Sequence, residues 1–173
     1  MIKGGKGGTN TLTGLKFETR VDLRTVFDKL KGYEVKENDL FYKEKLVAQF
    51  FKKHGLYAGI LEKHKIDWKQ MLSKKLLPDE TIFVLKSKTL FIIEMKFQNV
   101  AGSVDEKLQT CDFKKKQYTK LLKRAGINVE YIYILSDWFK KKEYEDTRNY
   151  IRSMGCSYYF KELPLEVLGL PKP

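Results

Sequence analysis

The sequence predicts an α/β sandwich in which helices flank a central mixed sheet. Two β-branched and aromatic runs, Thr81-Ile82-Phe83-Val84-Leu85 and Leu90-Phe91-Ile92-Ile93, are joined by the short polar stretch Lys86-Ser87-Lys88-Thr89. That pattern predicts an antiparallel hairpin. A helix start follows, with Ser103 and Glu106 at capping-box spacing. A third buried-type strand over 129–135 comes next, and a further helix and strand follow it. At 173 residues the chain is expected to form one domain, 1–173, with a sizeable core.

Taken in order, residues 1–14 are glycine-rich and basic, through Gly4-Gly5-Lys6-Gly7-Gly8-Thr9. They are expected to form a flexible arm. A phosphate-binding loop is rejected, because that loop follows a buried strand and ends in Lys-Ser/Thr; no nucleotide cofactor is expected. Residues 13–31 read as an amphipathic helix. Phe17, Val21, Leu23, Val26, Phe27 and Leu30 supply its apolar side, Thr13 its cap and Gly32 its stop. Glu18 falls in its second turn.

Asp39–Tyr42 reads as a short strand, 45–53 as a helix ended by His54-Gly55, and 56–75 as a loop with a lysine-rich helix. The near-continuous apolar runs of the hairpin imply strands covered on both faces. The helix from Ser103 is expected to reach Arg124 and stop at Gly126, with Lys123 and Arg124 at its negative end. A helix over 141–154, a strand over 156–160 and a short helix near Leu165 complete the chain.

Thirty-four Lys and Arg against twenty-two Asp and Glu give a net charge of +12, which attracts polyanions. A hydrophobic content of 42% excludes intrinsic disorder. No apolar run nears the ~20 residues of a membrane span, and the start lacks a signal-peptide core. A cytoplasmic protein with no membrane partner is expected. Cys111 and Cys156 are too few for a zinc cluster or a disulfide framework. His54 and His64 lack partners at metal-ligand spacing, which argues against a histidine-metal site.

The chemistry-bearing residues are Pro78-Asp79 and Glu94-Met95-Lys96, one at each end of the hairpin. A turn at Ser87-Lys88 sets Asp79 opposite Lys96. A turn centred on Ser87 sets it opposite Met95, and one at Lys86-Ser87 sets it opposite Glu94. Every register brings Asp79 alongside this segment, and alternation puts Glu94 and Lys96 on one face. Two carboxylates hold a hard cation such as magnesium and leave water positions open. A lysine beside them orients a water and stabilises charge developing on a phosphate. The pattern points to phosphodiester hydrolysis. The alternative is a chance pairing of a strand-start Pro-Asp with a common Glu-x-Lys.

On these residues the chain resembles the PD-(D/E)xK nuclease superfamily over roughly 13–135. The resemblance implies a restriction-endonuclease-like α-β-β-β-α-β core. It implies Asp79 as first acid, Glu94 as second acid and Lys96 as the lysine, with Glu18 as a further metal-touching acid on the first core helix. Magnesium is the implied metal, with manganese as a substitute, and double-stranded DNA the implied substrate. Type II restriction endonucleases are the members it resembles most, which implies a homodimer, since one chain carries one site, and makes the segment 43–77 an insertion expected to serve DNA reading or dimerisation. Holliday-junction resolvases and repair nucleases are the alternatives within the superfamily. A non-catalytic DNA-binding module is the alternative from another class.

Gln98, Gln109 and Gln117 would border the site. Related exonucleases carry Gln-x-x-x-Tyr, where this chain has Gln109-Thr110-Cys111-Asp112-Phe113, with Phe for Tyr. Lys114, Lys115, Lys116 and Lys120 either contact phosphates or form a solvated face. Gly102-Ser103-Val104-Asp105-Glu106-Lys107 resembles a loop-to-helix junction whose amides suit a DNA phosphate, which adds Ser103 and Lys107 as DNA-contact candidates, beside Lys6 of the basic arm, which could lie against DNA.

Overall fold

The computed structural model describes residues 14–18, 20–99 and 104–173. Lys6, Ser103 and all but the last residue of the expected 1–14 arm lie outside them. The described elements are β1 (Gly14–Lys16), α1 (Leu23–Phe27), β2 (Tyr33–Lys36), β3 (Asp39–Tyr42), β4 (Lys45–Phe51), β5 (Glu80–Val84) and β6 (Thr89–Lys96). They continue as α2 (Val104–Leu108), α3 (Cys111–Leu122), β7 (Asn128–Leu135), α4 (Glu145–Ser153), β8 (Ser157–Phe160) and β9 (Glu162–Pro164).

Strands β2 to β8 form one sheet in chain order, antiparallel as far as β6 and parallel from β6 to β8. Parallel neighbours need crossovers, and α3 and α4 supply them. The expected α/β architecture with a central mixed sheet is therefore present. β1 and β9 pair separately as a two-stranded ribbon. No described helix is long and apolar enough to cross a membrane.

Every residue of β6 is buried, as its unbroken apolar run predicts for a strand covered on both sides. Leu90 and Ile92 face a core layer with Tyr118, Leu121 and Ile151 from the crossover helices. Phe91, Ile93 and Met95 face an opposite layer with Leu23 and Phe27 of α1 and with Leu15 and Leu163 of the ribbon. The molecule thus has two cores separated by one sheet.

Several elements differ from expectation. The expected 13–31 helix is only the five-residue α1, capped by Asp22, whose side chain accepts from the Arg24 amide. Ahead of it, Leu15 and Phe17 are buried while Lys16 and Glu18 are exposed. That alternation has period 2, so the segment forms β1 instead of a helix. The expected 45–53 helix is the sheet strand β4, which sends Ala48 and Phe50 into the second core. It is joined to β3 by Lys43 and Glu44, both at positive φ (46° and 65°), with Tyr42 paired to Lys45. This is a tight hairpin turn made without its usual glycine or asparagine.

Of the expected 43–77 insertion, Lys45–Phe51 is thus the sheet strand β4, and part of the remainder is a cover. Leu56, Ile60 and Leu61 pack into the first core from a helical turn over Tyr57–Leu61. That turn is widened by the bond from the Glu62 amide to the Tyr57 carbonyl. The expected 103–124 helix is broken into α2 and α3, where the Thr110 hydroxyl donates to the Lys107 carbonyl (2.8 Å). Such local back-bonding competes with helix propagation. Gly126 closes the second piece at φ +66°, as expected of a helix stop.

One ion-pair network ties α1 to the sheet. Asp22 accepts a paired hydrogen bond from the Arg24 guanidinium (2.6 and 3.1 Å) and lies 3.0 Å from the Lys52 ammonium. The Arg24 hydrogen bond, against an opposing push from burial, holds the Asp22 carboxyl well below the ordinary carboxylate range, with Lys52 adding to the effect. A depressed carboxyl stabilises the fold above its unfolded pKa, and that stability is lost as pH falls through the folded value. Asp22→Asn keeps the cap but removes the charge. It is expected to lower stability at pH 7 by about 1 kcal/mol and to flatten the loss of stability below about pH 4. Urea unfolding as a function of pH checks this; an unchanged acid limb would contradict it.

Candidate active site

The hairpin register pairs Glu80 with Ile93 and Val84 with Thr89. Of the three expected registers this is the one in which Asp79, one residue before β5, extends to lie beside Glu94. Glu94 and Lys96 face the same side of the sheet as Leu90 and Ile92, toward α3, at the C-terminal end of β6. Both are buried, whereas Asp79 is exposed at the mouth. Burial and the neighbouring Tyr57 push the Tyr118 phenol upward, and the negative charges of Glu94 and Asp79 both add to this. The two carboxylates thus act on one phenol from one side of the sheet.

The contacts of Glu94 define the centre of the site. Lys96 Nζ lies 2.9 Å from Oε2, and Lys114 Nζ from α3 donates to Oε1 at 2.6 Å. The Tyr131 hydroxyl of β7 donates a short hydrogen bond to the same Oε1. Burial would raise the Glu94 carboxyl, but the charges of Lys96 and Lys114 and the hydrogen bonds of Lys114 and Tyr131 hold it below its ordinary value. Glu94 is therefore an anion at neutral pH. Burial first, and then the Glu94 charge, push the Tyr131 phenol strongly upward, so it remains a donor.

Lys114 and Tyr131 enter the site in ways that sequence reading misses. By sequence Lys114 groups with the surface lysines of its helix, yet it shares a stripe with the buried Cys111, Tyr118 and Leu121. A lysine on the buried stripe is the available signal. Tyr131 sits in the middle of a strand buried on both faces, and a buried phenol has to find a polar partner.

The other expected site residues scatter. Glu18 is not on a helix; it lies in an exposed bend between β1 and α1. It lines a cavity of about 400 Å³ with Gln98, Asn99, Ser136, Asp137 and Lys161, just past the ends of β6 and β7. Gln98 is buried past the end of β6, where its backbone exchanges hydrogen bonds with the Ser136 hydroxyl (3.2 and 3.0 Å). Gln109 is exposed at the break between α2 and α3, and Gln117 is half-buried on α3.

Of the lysines, Lys107 is exposed on α2. Lys115 is tied to Glu130 (3.0 Å) and to the Gly155 carbonyl. Lys116 pairs with Asp112 on its own helix (2.9 Å), and Lys120 is exposed. Phe113, 58% exposed, stands one residue before Lys114, and Leu77, 44% exposed, two residues before Asp79.

The donor set suits a hard divalent cation. Asp79 and Glu94 offer carboxylate oxygens, with Glu94 Oε2 held 2.9 Å from the Lys96 ammonium. No group of three or more His, Cys, Asp or Glu side chains that could hold a metal occurs among the described residues. Glu18 does not join the pair in such a group. The remaining positions on a cation would fall to water.

A second charged cluster lies behind the site, on the other face of the sheet. Glu80, adjacent to Asp79, is buried, and its Oε1 lies 2.5 Å from Lys52 Nζ. Burial raises the Glu80 carboxyl, and Lys52 only partly offsets this. The Pro78 carbonyl accepts from the Lys53 amide (2.9 Å), so the chain just past β4 fixes the backbone leading into Asp79. No family model, no curated protein and no solved structure matches the chain.

Proposed function

We propose that the chain is a magnesium-dependent endodeoxyribonuclease that cuts double-stranded DNA, similar to the PD-(D/E)xK type II restriction endonucleases. The observation that carries this reading is the placing of Asp79 beside Glu94 and Lys96 on one face at the end of the sheet. The element order supports it. α1 is followed by five antiparallel strands, β2 to β6; the last three of them, followed by α3 and by β7 parallel to β6, match the β-β-β-α-β part of the restriction-endonuclease-like core, and β2 and β3 are additional to it. The net charge of +12 suits a polyanionic substrate.

In this reading Asp79 and Glu94 hold the cation, which when bound polarises the phosphoryl oxygen and acidifies a water. Lys96 keeps its ammonium 2.9 Å from Glu94, where it orients the attacking water and meets the charge that grows on the phosphate. Tyr131 holds Oε1 and so fixes the carboxylate plane. The exposed Lys107 and Lys120 contribute contacts to the DNA backbone without reading sequence. One site per chain and two strands to cut call for a symmetric homodimer.

A second reading, a DNA-binding module without activity, draws on the pairing of Glu94 with two ammonium groups, which satisfies the carboxylate without a metal. Digestion of plasmid DNA with magnesium, followed by sequencing of the ends, decides between them. Discrete bands with a common end sequence are expected. A smear would indicate a nonspecific nuclease, and cutting confined to four-way junctions a resolvase. Binding without cutting would sink the enzymatic reading.

A further inference from the structure

The Glu94 carboxylate is over-supplied with positive charge. Its Oε1 receives the Lys114 ammonium at 2.6 Å together with the Tyr131 hydroxyl, and its Oε2 faces Lys96 at 2.9 Å. A divalent ion bound to Oε1 would sit within a few ångströms of the Lys114 ammonium, and two like charges at that separation repel strongly in a buried place. One of them must leave. Lys96 is anchored on the same strand as Glu94 with its side chain 11% exposed, whereas Lys114 reaches in from a separate helix and is 29% exposed. Lys114 has the freer path to solvent.

We propose that Lys114 is an internal stand-in for the metal. In the free protein its ammonium occupies the cation position on Glu94, and on metal binding it swings out to hold the substrate's phosphodiester. This rests on the reading of Asp79 and Glu94 as the cation-holding pair. It explains why a lysine lies on the buried stripe of α3, where an apolar residue would pack at lower cost. It also couples the two ligands. The metal frees the ammonium that the phosphate needs, and the phosphate gives the displaced ammonium a partner, so each favours binding of the other.

The test begins with the DNA-free protein and a Mn²⁺ titration followed by the electron paramagnetic resonance of the free ion. Lys114→Met and Lys114→Gln are expected to bind Mn²⁺ roughly tenfold more tightly than the unaltered chain, because a competing charge has been removed. Lys115→Met, whose lysine pairs with Glu130 and not with Glu94, should leave the affinity unchanged. At saturating magnesium the Lys114→Met variant should cleave DNA roughly tenfold or more slowly, with partial recovery in Lys114→Arg.

Unchanged or weaker Mn²⁺ binding in both Lys114→Met and Lys114→Gln overturns the stand-in role while leaving the nuclease reading in place. Cleavage as fast as the unaltered chain in Lys114→Met overturns the phosphate contact. Absence of any Mn²⁺ binding that depends on Glu94 overturns the metal-site reading itself, and this proposal with it.

Discussion

Asp79→Asn and Glu94→Gln are each expected to lower magnesium-dependent plasmid cleavage by roughly 10³-fold or more. Each removes one of the two carboxylates proposed to hold the cation, and no group of three or more possible metal-holding side chains occurs among the described residues. The two variants should nevertheless differ in stability. Asp79 is exposed and outside the sheet, so its amide costs little. Glu94 is buried between two lysines, and its amide leaves both ammonium groups without their anion. Glu94→Gln should therefore unfold about 2–3 kcal/mol more easily, whereas Asp79→Asn should stay within about 0.5 kcal/mol of the unaltered chain. Cleavage rates at saturating magnesium, measured beside urea unfolding, check both statements. Asp79→Asn cutting within tenfold of the unaltered rate would remove the site from this position.

Lys52→Met is expected to destabilise the fold by about 2–4 kcal/mol at neutral pH. Lys52 makes the one ion pair of Glu80 among the described residues, and Arg24 acts on Glu80 only electrostatically. Without Lys52, a carboxylate is left buried beside the second core. Its pKa is already raised by burial, so the folded state takes up a proton more readily than the unfolded chain. The sign follows: in the variant the deficit is largest at high pH and shrinks as pH falls through the folded value. The double variant Lys52→Met/Glu80→Gln should regain most of the loss. Denaturant unfolding at pH 8 and pH 5.5 measures both effects. A deficit that grows toward low pH, or no recovery in the double variant, would contradict the buried-carboxylate explanation.

The parts of the molecule that are legible in the sequence are those with one dominant local signal. The β5–β6 hairpin has long β-branched runs and a short polar join, so its existence and the approach of Asp79 to Glu94 follow from alternation alone. Which of three registers applies depends on the turn, and Leu85 to Lys88 carry no residue that selects one, although Lys88 adopts φ 49°. β4 reads as a helix for a related reason. Lys43 and Glu44 take the positive-φ positions of a hairpin turn that normally announces itself with Asn-Gly. Tertiary pairing with β3 and β5 overrides the weak local preference.

The Lys114–Glu94–Tyr131 triad illustrates a different limit. Its members come from α3, β6 and β7, and only the parallel register, Glu94 beside Tyr133 and Ile92 beside Tyr131, brings them together. No spacing along the chain encodes that register. Glu18 shows the converse. Its residue type and position fit a helix pattern, but Leu15 and Phe17 alternate with Lys16 and Glu18 at the period of a strand.

If the chain acts on DNA as proposed, the interruption at Thr110 limits how far one copy can reach along a duplex. An unbroken helix over 103–124 would be a rod of about 33 Å, close to the roughly 34 Å of one DNA turn. As it stands, the 12 residues of α3 span only about 18 Å, and Lys107 is carried on a separate, shorter piece. The Tyr133 hydroxyl locks that joint by donating to the carbonyls of Lys107 (3.2 Å) and Leu108 (3.3 Å) at the end of α2. On the proposed reading, a single α3 laid along a duplex would cover about half a helical turn, and protection of a full turn would require the helices of two copies laid end to end.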